Sequence, residues 1–139
     1  MSVGDLGVRM SLMASALLLS CAASAQQAPA GPLLPKDSIE ASVFRGGLVY
    51  ANYCVTCHGM NADGNGRAAR LYTPRPANLR TTDKNDDYIA LIVRQGGEPL
   101  GRSGKMPPWG EELTSEQISD VVAYVRSVNV ATPLRVGSR

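Results

Sequence analysis

Two long stretches rich in glycine and proline, Gly59 to Pro76 and Gly96 to Gly110, constrain this chain more than any other feature. Each separates segments that read as helices. A compact small domain does not normally hold about 15 residues without secondary structure between its elements. The rest of the sequence gives such loops little to pack on. Only 5% of residues are aromatic, with one Phe and one Trp, although 44% are apolar. A small aromatic-poor domain buries little area per residue and needs something added to its core. Loops of this length make sense if they wrap a large, rigid, apolar object that the chain itself does not supply.

The segments they connect show helical signals and no convincing strand. The first is expected over about Ser42 to Cys54. The second is expected over Asp86 to Gln95, with acids in its first turn, Arg94 in its last and Gly96 as a stop. The third is expected over Ser115 to Val128. There Thr114 and Gln117 form a capping box, and Ile118, Val121, Val122 and Val125 share a face. The length of 139 residues suits one domain. Fourteen basic and twelve acidic residues leave a net charge of +2, which does not suit a nucleic-acid binder working through a basic stripe.

The object is indicated by Cys54-Val55-Thr56-Cys57-His58. C-x-x-C-H is the attachment signature of c-type haem. Two thiols three residues apart can add to the two vinyl groups of the porphyrin, and the adjacent histidine is then directed at the iron. Other readings of these residues are poor. A thioredoxin-like pair wants a βαβ context, which is missing. Zinc needs about four ligands, and outside the N-terminal leader only these two cysteines and one histidine remain. A disulfide would leave His58 incidental. The single histidine also excludes a catalytic triad and a multi-histidine metal site.

The N-terminal residues fit export. The apolar run of residues 10–20, preceded by Arg9 and followed by Ala23-Ser24-Ala25, has the pattern of a secretory signal peptide covering residues 1–25. It is short for a bilayer span, which needs about 20 residues, so no membrane span is expected after processing. Leu18-Leu19-Ser20-Cys21 also resembles a lipobox, which makes a lipid anchor at Cys21 the alternative to cleavage after Ala25. Residues 26–41 read as a Pro/Ala/Gly-rich linker or arm, residues 42–130 as the folded domain and residues 131–139 as a tail.

With these residues in view, the chain resembles a class I c-type cytochrome, the small monohaem bacterial cytochrome c. The resemblance rests on Gly46, Tyr50, Cys54, Cys57 and His58, the Gly59-rich loop, Pro76-Ala77-Asn78-Leu79, Met106-Pro107-Pro108 and Tyr124. It implies an all-α cytochrome c fold, about three main helices with long loops around one covalently bound haem. It also implies a crossing of the first and last helices. The sequence permits that crossing, with Gly46 letting the last helix approach near Val121 and Tyr124.

The resemblance further implies Cys54 and Cys57 as thioether-forming residues and His58 as an axial iron ligand. The sixth ligand follows partly by elimination. Outside the leader only Met60 and Met106 remain. Met60 is two residues past His58, and two residues reach at most about 7 Å. Met106 lies in the distant loop and is stiffened by Pro107 and Pro108, which suits a weak thioether ligand. Its competing reading is a core gap-filler, and Lys105 is the runner-up donor. Family members orient the histidine through a proline carbonyl, and Pro74 and Pro76 both stand as candidates. Trp109 either reaches a haem propionate or packs. Asp63-Gly64-Asn65-Gly66 carries oxygen donors suggestive of calcium but reads better as a turn.

His/Met ligation leaves no open coordination position, so the expected function is a periplasmic one-electron carrier cycling between Fe(III) and Fe(II), not an enzyme. Its donor and acceptor would be exported or membrane redox proteins. The alternatives are a haem-c subunit of a periplasmic oxidoreductase complex and a haem sensor or ligand-binding module.

Overall fold

A computed structural model describes residues 34–131, all within one compact unit of the chain. The leader, Cys21 and the tail beyond residue 131 lie outside these residues. The described residues are helical and contain no strand. Among them, no helix is long and apolar enough to cross a membrane.

Helix α1 spans Ile39–Tyr53. It starts three residues before the expected Ser42, because Ser38 caps it: the Ser38 side chain accepts a hydrogen bond from the Ala41 amide at 3.1 Å. Residues 39–41 of the expected linker are therefore helix. A single turn, α2, follows at Val55–His58. Helix α3 spans Asp86–Gln95 and is capped by Asn85, which accepts from the Tyr88 amide at 2.9 Å. Helix α4 spans Ser115–Val128. Its capping box is formed, with Thr114 Oγ1 accepting from the Gln117 amide at 3.2 Å and Gln117 Oε1 accepting from the Thr114 amide at 2.9 Å. Both α3 and α4 have the limits expected from the sequence. Among the described residues the fold is all-α, as the resemblance implies.

The core is built where α1, α3 and α4 meet, from Val49, Tyr50, Ile89, Val93, Ile118, Val121 and Val125. The crossing of α1 and α4 lies at Gly46, displaced by one residue from Val121: a Cβ on Gly46 would overlap the Asp120 carbonyl and lie 2.9 Å from the Tyr124 Cβ. The Tyr50 and Tyr124 rings pack beside it, 4.9 Å between centroids. Polar contacts tie the remaining pieces together. Arg126 of α4 reaches Asp86 at the start of α3 and the Lys84 carbonyl. Asn129 donates to the carbonyls of Leu79 and Thr82, at 3.1 and 2.9 Å. The end of the first loop, at Leu79 to Lys84, is thus held against the C-terminal end of α4.

Candidate haem site

The loops, α2 and α3 surround a cavity of about 720 Å³, a volume in the range of small-molecule and cofactor sites. Cys54, Cys57, His58 and Met106 all line it. Apolar residues of α3 and α4 complete the walls, including Ile89, Ile92, Val93, Val121 and Val125. Among the described residues no side chain fills this space, although many of the residues around it are apolar. A groove of about 650 Å³ between α1 and α4, at Arg45, Leu48 and Glu116, has no thiol, imidazole or thioether.

The local structure places each of the four side chains. The α1 helix ends where the Cys54 amide bonds to the Tyr50 carbonyl, and α2 begins at the next residue. Cys54, Cys57 and His58 therefore sit on consecutive turns whose backbone is fixed. Tyr50 secures this corner: its buried hydroxyl donates to the Gly59 carbonyl at 2.6 Å. Cys54 and Cys57 are not joined in a disulfide. Burial, with a smaller contribution from Cys57, pushes the Cys54 thiol up to about 12.

The His58 ring is oriented by a backbone carbonyl, with Nδ1 3.0 Å from the Ala77 oxygen. A carbonyl oxygen only accepts, so Nδ1 is the protonated nitrogen and Nε2 keeps its lone pair. Burial lowers the His58 pKa, and the bond to Ala77 offsets this only in part, so the ring is neutral at pH 7. The partner is neither Pro74 nor Pro76. Both prolines line the cavity, but the carbonyl that meets His58 belongs to the next residue. Every residue carries a carbonyl, so side-chain identity offered no signal for this choice.

Met106 comes to the cavity because its loop folds back on α3. The Gly97 amide donates to the Met106 carbonyl, and the Trp109 amide to the Val93 carbonyl, each at 2.9 Å. Gly96, at φ +77, permits the approach, since a Cβ there would lie 2.8 Å from the Met106 oxygen. Met60, by contrast, is 85% exposed and lines neither wall. Trp109 packs edge-on against Tyr53, with centroids 5.3 Å apart, and both line the cavity. Lys105 lines it as well.

One feature of the lining was not legible in the sequence. Its charged side chains are Arg75, Lys84, Arg102 and Lys105, with no Asp or Glu. Arg102 Nε donates to the Tyr88 hydroxyl at 3.1 Å. Arg75 and Lys84 are far in the chain from Arg102 and Lys105, and only the fold brings the two pairs together. The cavity thus offers two thiols, a neutral imidazole, a thioether, apolar walls and cations for acidic substituents. That donor set fits a haem with its two carboxylates.

The comparisons with known proteins agree with this chemistry. A family model described as cytochrome c oxidase, cbb3-type, subunit III matches residues 41–125. The chain is similar to the cbb3-type cytochrome c oxidase subunit FixP of Sinorhizobium medicae (strain WSM419). The two are 30% identical over 114 residues, which cover 78% of this chain and 36% of that relative. The chain accordingly spans little more than a third of the relative's length.

Proposed function

The chain belongs to the cbb3-type cytochrome c oxidase subunit III family, and from that premise we propose that it is an exported one-electron carrier. In this reading haem c is attached covalently through Cys54 and Cys57, and His58 and Met106 are its axial ligands. One observation carries it: the two thiols, the neutral His58 imidazole and the Met106 thioether line a single cavity. When bound, the haem supplies an iron that changes between Fe(III) and Fe(II).

The chain's own residues do the rest. His58, held by Ala77, presents Nε2 as a fixed nitrogen donor. The Met106 loop is braced by its hydrogen bonds to Gly97 and α3, so the thioether is positioned before it coordinates. His58 and Met106 would together hold the iron and leave substrate no place on it, so the group would supply one-electron transfer and not substrate chemistry. Redox partners then dock through small transient interfaces, of less than about 1,200 Å².

The likeness to FixP favours a second reading, in which the same centre relays electrons within an oxidase complex. Size-exclusion chromatography of the native protein separates the two: a free carrier elutes near its monomer mass, a subunit with its complex. The test of the shared claim is a redox titration followed by haem absorbance. A single one-electron transition, with no carbon monoxide adduct in the reduced protein, is expected. Ready carbon monoxide binding by the wild type would point to a sensor with an open position.

A further inference from the structure

The sequence Asp63-Gly64-Asn65-Gly66 takes no part in the site as described above, yet it lies between the two halves of the His58 environment. On one side it is strapped to α2. The amides of Gly64, Gly66 and Ala68 donate to the carbonyls of His58, Cys57 and Thr56, at 2.9, 3.1 and 2.9 Å. These are carbonyls that a one-turn helix leaves without partners of its own. On the other side it meets the segment that orients the His58 ring. The Leu79 amide donates to the Ala62 carbonyl at 2.8 Å, and Arg75 Nη1 donates to Asn65 Oδ1 at 3.3 Å. Gly64 itself is buried at φ +81, where a Cβ would lie 2.5 Å from the Pro76 carbonyl oxygen and 3.3 Å from the Ala77 carbonyl. One glycine therefore touches the backbone of His58 and the segment whose carbonyl accepts the hydrogen bond from the His58 ring N–H.

We propose that Gly64 is a positioning residue that sets the hydrogen bond from His58 Nδ1 to Ala77, and through it the donor strength of His58 toward the iron. The inference rests on the proposed ligation by His58. A ring N–H that donates to a carbonyl leaves the other ring nitrogen more basic. A more basic ligand favours the ferric state and holds the reduction potential down. A side chain at position 64 pushes the 76–77 segment away, weakens the bond and makes His58 a poorer donor. The potential then rises. Plain structural damage acts in the opposite sense, since water admitted to the site favours the more highly charged ferric centre. The direction of the shift separates positioning from damage.

The experiment compares the haem-loaded full chain with Gly64→Ala and Gly101→Ala. Gly101 is the control, because it also has a left-handed φ, +65, but a Cβ there meets nothing within 4 Å. Gly64→Ala is expected to raise the potential and to speed deuterium exchange of the His58 ring N–H, followed by NMR in the reduced state, by tenfold or more. Gly101→Ala is expected to change neither. Should Gly64→Ala fail to load haem, Asn65→Ala replaces it, since it releases Arg75 without adding volume and predicts a smaller shift of the same sign. An unchanged or lowered potential in the variant that loads, with haem signals of His58 ligation retained, overturns the inference. Absence of those His58 signals from the wild type would instead overturn the ligation on which it rests.

Discussion

Gly46 of α1 and Asp120 of α4 meet backbone to backbone: a single methyl group on Gly46 would overlap the Asp120 carbonyl oxygen. Gly47, the next residue, is different, since a Cβ there would stand 3.4 Å from the Tyr124 ring. Gly46→Ala is expected to force the helices apart and to cost about 1–3 kcal/mol, the range for overpacking a close contact. Gly47→Ala should be neutral or stabilising by up to about 1 kcal/mol, through better helix propensity. Denaturant unfolding of the two holoproteins checks this, and equal midpoints would contradict the contact.

The same crossing holds a charge pair. Ser42 and Arg45 of α1 both bond to the carboxylate of Asp120, at 2.5 Å from Ser42 and at 2.7 and 2.8 Å from Arg45. Burial pushes the Asp120 carboxyl up, but the hydrogen bonds from Arg45 and Ser42 outweigh it and hold the group below the ordinary carboxylate range. A folded-state pKa below the unfolded one adds stability above the unfolded value, about 3.9 for Asp. That contribution is lost as pH falls through the folded value. The melting temperature should therefore drop more steeply below about pH 4 in the wild type than in Asp120→Asn. At neutral pH, Asp120→Asn should cost about 1.5–3 kcal/mol, as expected for bonds to a charged group.

Tyr50 is 2% exposed and its hydroxyl donates a hydrogen bond to the Gly59 carbonyl at the end of α2. Tyr50→Phe removes that bond and leaves the Gly59 carbonyl with the Ala62 amide, 3.0 Å away, as its donor. A loss of about 0.5–1.5 kcal/mol in stability is expected, with haem still attached. A melting temperature equal to the wild type would mean that the bond does not secure the corner.

How much of this was legible in the sequence depended on whether the cause was local. The limits of α3 and α4 follow from caps and periodicity within a few residues, and both were expected correctly. The start of α1 was misread because Ser38 follows a proline-rich arm, and the arm's composition masked its cap. The Gly46 contact was legible as a glycine one turn from Tyr50, but only to within a residue on α4. The Ala77 carbonyl and the cationic lining had no local signature. A carbonyl has no residue type, and Lys84 and Arg102 share the cavity only through the tertiary fold.

Met106 and Met60 make a matched pair, because one lines the cavity and the other is 85% exposed. Met106→Ala should keep its haem and much of its helix but lose the soft sulfur donor that favours ferrous iron. Its reduction potential should fall, and the reduced form should begin to bind carbon monoxide. Met60→Ala should change neither. The weak far-red absorption of sulfur bound to ferric iron should vanish only in Met106→Ala. Survival of that band in Met106→Ala and its loss in Met60→Ala would reverse the assignment.

Covalent attachment through Cys54 and Cys57 is the claim on which the rest depends, and it has a direct measurement. The natively produced protein is denatured and extracted with acidified organic solvent, and the mass of the polypeptide is then determined. The account predicts that one haem stays on the chain, bound through Cys54 and Cys57. Release of all the haem into the solvent, or zinc in place of iron, would contradict it.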